Sequence, residues 1–203
     1  LFGEVLEREL KPYRDELVIS SKAGFHMWPG PYGQMSSRKA LMASLNRSLQ
    51  TMGLDYVDIF YSHRFDPETS PEETAVALDD IVRQGKALYV GISNYTAPQA
   101  EAMIKIFKDL RTPFVIDQVS YNMLNQTAND DGLFDLLKQN NAGAIAYGPL
   151  SEGLLTDKYL NGIPADVDIH WSNQFVLDNG RDKMLQKLQA LNKIAQSRGQ
   201  KLS

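Results

Sequence analysis

Apolar positions in this chain fall into two alternating patterns. Short runs of four to eight residues read as buried strands: Leu17-Val-Ile-Ser-Ser-Lys22, Tyr56-Val-Asp-Ile-Phe-Tyr-Ser-His63, Ala87-Leu-Tyr-Val-Gly-Ile-Ser93-Asn94, Phe114-Val-Ile-Asp-Gln118 and Ala144-Ile-Ala-Tyr147-Gly-Pro149. Between them the spacing turns helical. Leu41, Leu45, Leu49 and Met52 follow a Ser36 or Ser37 cap, and Gly53 stops them. A second helix starts at Pro71 with Glu72 and Glu73 in its first turn and ends near Gly85. Others are expected over about Ala97–Leu110, Asp131–Gln139, Glu152–Tyr159 and Arg181–Arg198, the last strongly amphipathic. Strand–helix alternation of this kind requires a parallel sheet with helical crossovers.

That pattern predicts an α/β chain of the (β/α)8 TIM-barrel class, with about five central βα units visible. An eight-strand barrel ordinarily takes about 250 residues, and this chain has 203. Val5, Leu6 and Leu10 repeat at helical spacing from the first residues, with no strand ahead of them, and Ser203 suits the cap of a further helix. An open parallel sheet also leaves reactive edges. The expectation is therefore one domain over residues 1–203, an internal piece of a barrel lacking its first strands and its last.

Composition narrows the class of function. A net charge of -4 lacks the clustered Lys and Arg that a nucleic-acid surface needs. No apolar run approaches the roughly 20 residues of a membrane span, so membrane insertion is not expected. The absence of cysteine excludes disulfides and thiol catalysis. A cytoplasmic setting is the default expectation. Three scattered histidines, without His-x-His or His-Glu-x-x-His, argue against a metal-dependent barrel hydrolase.

In a parallel barrel all strands present their carboxyl ends on one face. Lys22, His63, Asn94, Gln118 and Tyr147 each sit at such an end, so a lysine, a histidine, two amides and a phenol are expected to converge. Each has a plainer alternative. Lys22 could be a solvated strand-end lysine, and His63 a packed structural one. Asp58, between Val57 and Ile59, reads equally as a paired structural carboxylate. His26 and His170 fall in loops and read as surface residues.

The strand ends Ser20-Ser-Lys22-Ala-Gly, Tyr56-Val-Asp-Ile-Phe-Tyr-Ser-His63, Gly91-Ile-Ser-Asn94 and Tyr147-Gly-Pro-Leu150, in this order and spacing, resemble those of the aldo-keto reductase superfamily. Trp28-Pro-Gly-Pro-Tyr-Gly33 and Gly153-Leu-Leu-Thr-Asp-Lys-Tyr159 are similar to the bacterial reductases of glyceraldehyde 3-phosphate and methylglyoxal, and to the β-subunits of voltage-gated potassium channels. The resemblance implies NADP-dependent reduction of small aldehydes by hydride transfer. In that family a tyrosine protonates the carbonyl oxygen, a lysine lowers its pKa, an aspartate pairs with the lysine, and a histidine orients the carbonyl. Lys22 and His63 match the lysine and histidine. The tyrosine and aspartate belong to segments ahead of the family's equivalent of Leu1, so the isolated chain is expected to be almost inactive. Tyr32, Tyr61 and Tyr121 are not assigned to the vacant role.

The same resemblance implies that NADPH lies against Ser93, Asn94 and Gln118, whose side chains offer the donors and acceptors a carboxamide needs. It places Tyr147 as the stacking partner of the nicotinamide. Gly148, Pro149, Leu150, Ser151 and Gly153 form a stretch whose backbone amides suit a pyrophosphate, with Lys158 as a further phosphate contact or a surface lysine. Trp28 and Tyr32, with Met35, form either one wall of a substrate pocket or a self-packed aromatic loop. Tyr121 either lines the pocket or packs beneath a loop. The stretch 165–179, with Trp171, reads as a cover over the cofactor or as a mobile loop. A nucleotide-sensing protein like the channel β-subunits is the alternative to a reductase, and His63 weighs against it because those subunits carry asparagine there. Family members range from monomers to octamers, which admits a homo-oligomer.

Overall fold

The alternation read from the sequence is the order the chain takes. The computed structural model describes residues 1–164, 167 and 180–203. Strands β1 (Ser20–Ala23), β2 (Val57–Ser62), β3 (Ala87–Ser93), β4 (Phe114–Ser120) and β5 (Gly143–Tyr147) form one sheet in sequence order. The pairings of β1 with β2, β2 with β3 and β3 with β4 are parallel. Each crossover is helical: α2 (Arg38–Met52), α3 (Pro71–Arg83), α4 (Ala97–Leu110), then α5 (Thr127–Asp130) with α6 (Leu133–Gln139). Ahead of β1, α1 (Phe2–Val5) runs into a wider π-helical turn, Leu6–Leu10, and a tight 3-10 segment, Lys11–Glu16. α7 (Arg181–Ser197) follows β5 and two short turns.

Local sequence explains the helix boundaries. Ser37 accepts from the Ala40 amide at 3.4 Å to start α2, and Gly53 ends it at φ +68°, where an L side chain would be strained. Ser70 accepts from the Glu73 amide at 3.1 Å, with Pro71 in the first turn of α3 and Arg83 in its last. At the start of α4, Gln99 accepts from the Thr96 amide at 3.0 Å. Two expectations are corrected. The helix expected from Asp131 begins at Leu133, because Gly132 at φ +84° separates it from α5. The helix expected over Glu152–Tyr159 is instead two 3-10 turns, Ser151–Gly153 and Asp157–Tyr159, because Ser151, Glu152 and Gly153 all have positive φ.

The described residues divide into two units. The first comprises Leu1–Val119 with Ala128–Ile145. Its core lies between one face of the sheet and the helices. Leu41 and Leu45 of α2, Leu78 and Ile81 of α3, and Met103 and Phe107 of α4 are buried together with Phe60, Val90 and Ile92. Asp58 is the paired structural carboxylate of the plainer reading. It bonds Arg14 at 2.9 Å and the Ile19 amide at 2.7 Å, tying the segment before β1 to β2. Arg14 also lies 4.1 Å over the Tyr56 ring. The second unit comprises Ser120–Thr127 with Ala146–Ser203 and has its own small core of Leu154, Leu155, Tyr159, Met184 and Leu188.

One core position departs from this apolar pattern. Asp117 on β4 is 0% exposed, aligned with Ile92 of β3, and among the described residues neither carboxylate oxygen has a hydrogen-bond partner. Burial raises its pKa to about 7, with the charge of Asp131 adding to the rise. A group whose folded pKa lies above its unfolded one contributes stability at low pH and loses it as pH rises toward the folded value. Asp117→Asn is therefore expected to match the parent near pH 4 and to exceed it increasingly up to about pH 7. The gain should then level off, on the order of 4 kcal/mol. Urea unfolding of both chains across that range is the check, and equal stability at pH 8 would contradict it.

Candidate active site

The sheet register assembles the site in the first unit. Lys22 on β1 aligns with Tyr61 on β2, Tyr61 with Gly91 on β3, and Gly91 with Ile116 on β4. Registered residues of parallel strands share a face. Gly91 leaves the room that Tyr61 fills, since a β-carbon there would lie 2.6 Å from the phenol ring. Lys22 Nζ sits 5.3 Å from the centroid of that ring. Its hydrogen-bond acceptor is the Gln118 side-chain oxygen, from β4. Neighbouring strands lie about 4.8 Å apart, so β1 and β4 in a flat sheet would stand roughly 14 Å apart. A direct Lys22–Gln118 bond requires the sheet to curl, as it does in a barrel.

The nearby strand ends close around this pair. The His63 amide donates to the Ala23 carbonyl at 2.8 Å, and the Asn94 side chain donates to the His63 carbonyl at 3.1 Å. Ser93 Oγ donates to the Gln118 carbonyl at 2.7 Å and accepts from Asn94 Nδ2 at 3.1 Å. The Asn94 amide bonds the same carbonyl at 3.0 Å. Asn94 takes φ +58°, a conformation asparagine tolerates better than most residues. Lys22, His63, Ser93, Asn94 and Gln118 are thus gathered at the carboxyl ends of four consecutive strands. Gln118 accepts from Lys22 with its side-chain oxygen, and its side-chain NH2 group has no partner among the described residues.

Electrostatics here favour neutral donors beside one cation. Burial lowers the Lys22 pKa. Among the described residues no carboxylate pairs with it. His63 is pushed down to about 4, by burial first and then by the charges of Lys22 and Arg64. It is therefore a neutral imidazole at physiological pH. Burial, with the charge of Asp117, raises the Tyr61 phenol, the opposite of what a proton donor needs.

A buried polar network fixes the segment after β2, and the sequence reading missed it. Ser62 Oγ bonds Tyr95 OH at 2.8 Å and Ser36 Oγ at 2.9 Å. Asp66 accepts from the Ser36 amide at 3.1 Å, the Glu68 amide at 3.0 Å and Thr69 Oγ1 at 2.7 Å. Both Ser36 and Ser62 reach the Arg64 carbonyl, at 3.2 and 3.3 Å. The signal was the polar run Ser62-His-Arg-Phe-Asp66 at a strand end. The Phe25 and His63 rings form a T-shaped pair, 4.6 Å between centroids at 78°. Gly24 makes room for this, since a β-carbon there would lie 2.9 Å from that of His63.

The remaining expected residues have their own local surroundings. Trp28 donates to the Pro31 carbonyl at 3.3 Å, and the Met27 amide bonds the Gly33 carbonyl at 2.8 Å, so this loop packs upon itself. Tyr32 is 52% exposed, with Lys39 4.6 Å over its ring. His26 is exposed, as expected. Tyr147, Gly148, Pro149, Leu150, Ser151, Gly153 and Lys158 belong to the second unit. There the Tyr121 amide bonds the Tyr147 carbonyl at 3.4 Å, and the Asn122 side chain bonds the Gly148 carbonyl at 2.9 Å. A β-carbon at Gly148 or Gly153 would meet nothing within 4 Å, so the backbone is open there. Lys158 is exposed over the Tyr159 ring at 4.9 Å. His170 and Trp171 lie outside the described residues, as does the stretch 165–179 apart from Val167. Among the described residues no group of three His, Cys, Asp or Glu could hold a metal, and no helix is long and apolar enough to cross a membrane.

A curled parallel sheet with a lysine, a neutral histidine and side-chain amides at its strand ends is the arrangement of the α/β-barrel oxidoreductases. The aldo/keto reductase family profile matches residues 1–203, and the chain belongs to that family. It is 50% identical over 206 residues to the L-glyceraldehyde 3-phosphate reductase of Escherichia coli K12. That match takes in 100% of this chain and 60% of the relative. A probable voltage-gated potassium channel β-subunit of Arabidopsis thaliana is 35% identical over 204 residues, with 98% of this chain and 61% of the relative covered. The chain thus spans about three-fifths of the length of these curated relatives. A crystal structure of a thermostable aldo-keto reductase in complex with the inhibitor epalrestat superposes with a TM-score of 0.63 at 32% identity. It covers 77% of this chain and 53% of that one. The five strands are consistent with part of an aldo-keto reductase barrel.

The His63 environment is testable in solution. In an NMR titration its imidazole resonances should shift with a midpoint near pH 4. A midpoint at or above the ordinary value of about 6.5 would mean that the ring is neither desolvated nor close to Lys22 and Arg64.

Proposed function

We propose that this chain is the central portion of an NADP-dependent reductase that converts small aldehydes, such as methylglyoxal and glyceraldehyde 3-phosphate, to alcohols. The observation that carries the reading is the half-buried Lys22 ammonium, bonded to Gln118 and adjoining a neutral His63. Carbonyl reduction builds negative charge on oxygen, which fixed donors and a nearby cation stabilise. Neutral His63 can donate a hydrogen bond to that oxygen and so orient the carbonyl. A phenol brought beside Lys22 would ionise more readily and release its proton to the alkoxide. The 50% identity to a reductase of a phosphorylated three-carbon aldehyde supports the substrate class.

NADPH, when bound, supplies the hydride. Gln118 offers its free amide NH2 to the carboxamide, and Ser93 and Asn94 flank it. Gly148, Pro149, Leu150, Ser151 and Gly153 offer open backbone for the phosphates, with Tyr147 as the aromatic platform and Lys158 as a further cation. This donor set fits an amide-bearing dinucleotide.

In the full-length protein that carries this chain, NADPH oxidation with methylglyoxal should be measurable. Lys22→Met is expected to lower kcat by 100-fold or more, with smaller loss in NADPH affinity. The 203-residue chain alone should bind weakly and turn over almost nothing. Unchanged kcat in Lys22→Met would overturn the assignment of Lys22. Tight NADPH binding by the parent without turnover of any aldehyde would favour the nucleotide-sensing alternative.

A further inference from the structure

Arg64 follows His63 at the carboxyl end of β2, yet the reduction itself gives it no task. Arg64 is of intermediate exposure, and among the described residues its guanidinium has only neutral partners. Nε donates to the Gly24 carbonyl at 2.9 Å, and the guanidinium carbon sits 4.4 Å over the Phe25 ring. Among the described residues it forms no ion pair. The closest acid in sequence, Asp66, is taken by Ser36, Glu68 and Thr69. The Arg64 carbonyl is itself held by Ser36 and Ser62, so its backbone is fixed. A guanidinium held in place by a carbonyl and a ring, with no counter-charge, is a ready partner for an anion.

The stack defines where that anion would lie. Phe25 meets the His63 ring in a T-shaped pair and carries the Arg64 guanidinium over its own ring, so His63, Phe25 and Arg64 form a ladder leading away from the imidazole. With Nε committed to Gly24, the two Nη groups form the outer edge of the guanidinium. Such a planar fork matches phosphate or carboxylate oxygens.

We propose that Arg64, braced on Phe25, is the specificity residue that binds the anionic end of an aldehyde whose carbonyl lies at His63. The substrate class is then a short aldehyde bearing a phosphate a few bonds from its carbonyl. This rests on the reductase reading above and deepens it. Gly24 and Phe25 acquire a purpose in the same step: Gly24 lets the ring approach His63 and supplies the carbonyl that aims the fork.

The test compares glyceraldehyde 3-phosphate with glyceraldehyde as substrates of the full-length protein and of its Arg64→Met variant. Methionine keeps an unbranched chain over Phe25 and removes the charge. The parent should prefer the phosphorylated aldehyde, and the variant should lose roughly ten- to a hundredfold of that preference, expressed as the ratio of the two kcat/KM values. Arg64→Lys should recover part of it. Inorganic phosphate should compete with glyceraldehyde in the parent more strongly than in Arg64→Met. Taking the ratio within one protein removes any general loss from imperfect folding. An unchanged ratio, or a parent without preference, overturns the role of Arg64 while leaving the reductase reading intact. A parent that reduces neither aldehyde overturns both.

Discussion

A lysine ammonium held partly out of water must be met by something, and among the described residues Lys22 is met only by neutral groups. Its partners are the Gln118 side-chain oxygen Oε1 and the Tyr61 ring. That bond reaches across four strands, so it can form only in a coiled sheet. The coil in turn depends on β-strands twisted in one hand and on Gly91 yielding space to Tyr61. Burial first, and then the charge of Lys22 and that of Arg64, keep His63 neutral.

The polar chain beneath the strand ends serves the same arrangement. Ser36, Ser62, Tyr95 and Asp66 are buried and mutually bonded, and they hold the backbone of Arg64. Fully satisfied networks of this kind stiffen a site. Asp117 lies on β4 outside that network and has no such partners. The contrast separates polar burial that positions side chains from polar burial that only costs stability.

The strands and long helices were legible because their signals are local. Alternating apolar runs, Ser70-Pro71, and Gly53 act within a few residues of the boundary they set. Lys22, His63, Ser93, Asn94 and Gln118 were legible because a parallel sheet delivers every strand end to one face. The bond between Lys22 and Gln118 was not legible, since it depends on curvature accumulated over four strands. The ladder of His63, Phe25 and Arg64 was equally hidden, because nothing in a run of letters says which ring will face which. The helix expected over Glu152–Tyr159 failed for a different reason: Ser151 and Glu152 adopt positive φ, which their side chains do not advertise.

The second unit is assembled from two separated stretches, Ser120–Thr127 and Ala146–Ser203. Leu124 from the first packs on a cluster that includes Met184 and Leu188 from α7 near the other end of the chain. During synthesis at about 5–20 residues per second, Leu124 emerges several seconds before its partners exist. Until α7 leaves the ribosome, that leucine and its neighbours are exposed apolar surface on a nascent chain. The order of translation thus makes this stretch a natural place for a chaperone to act.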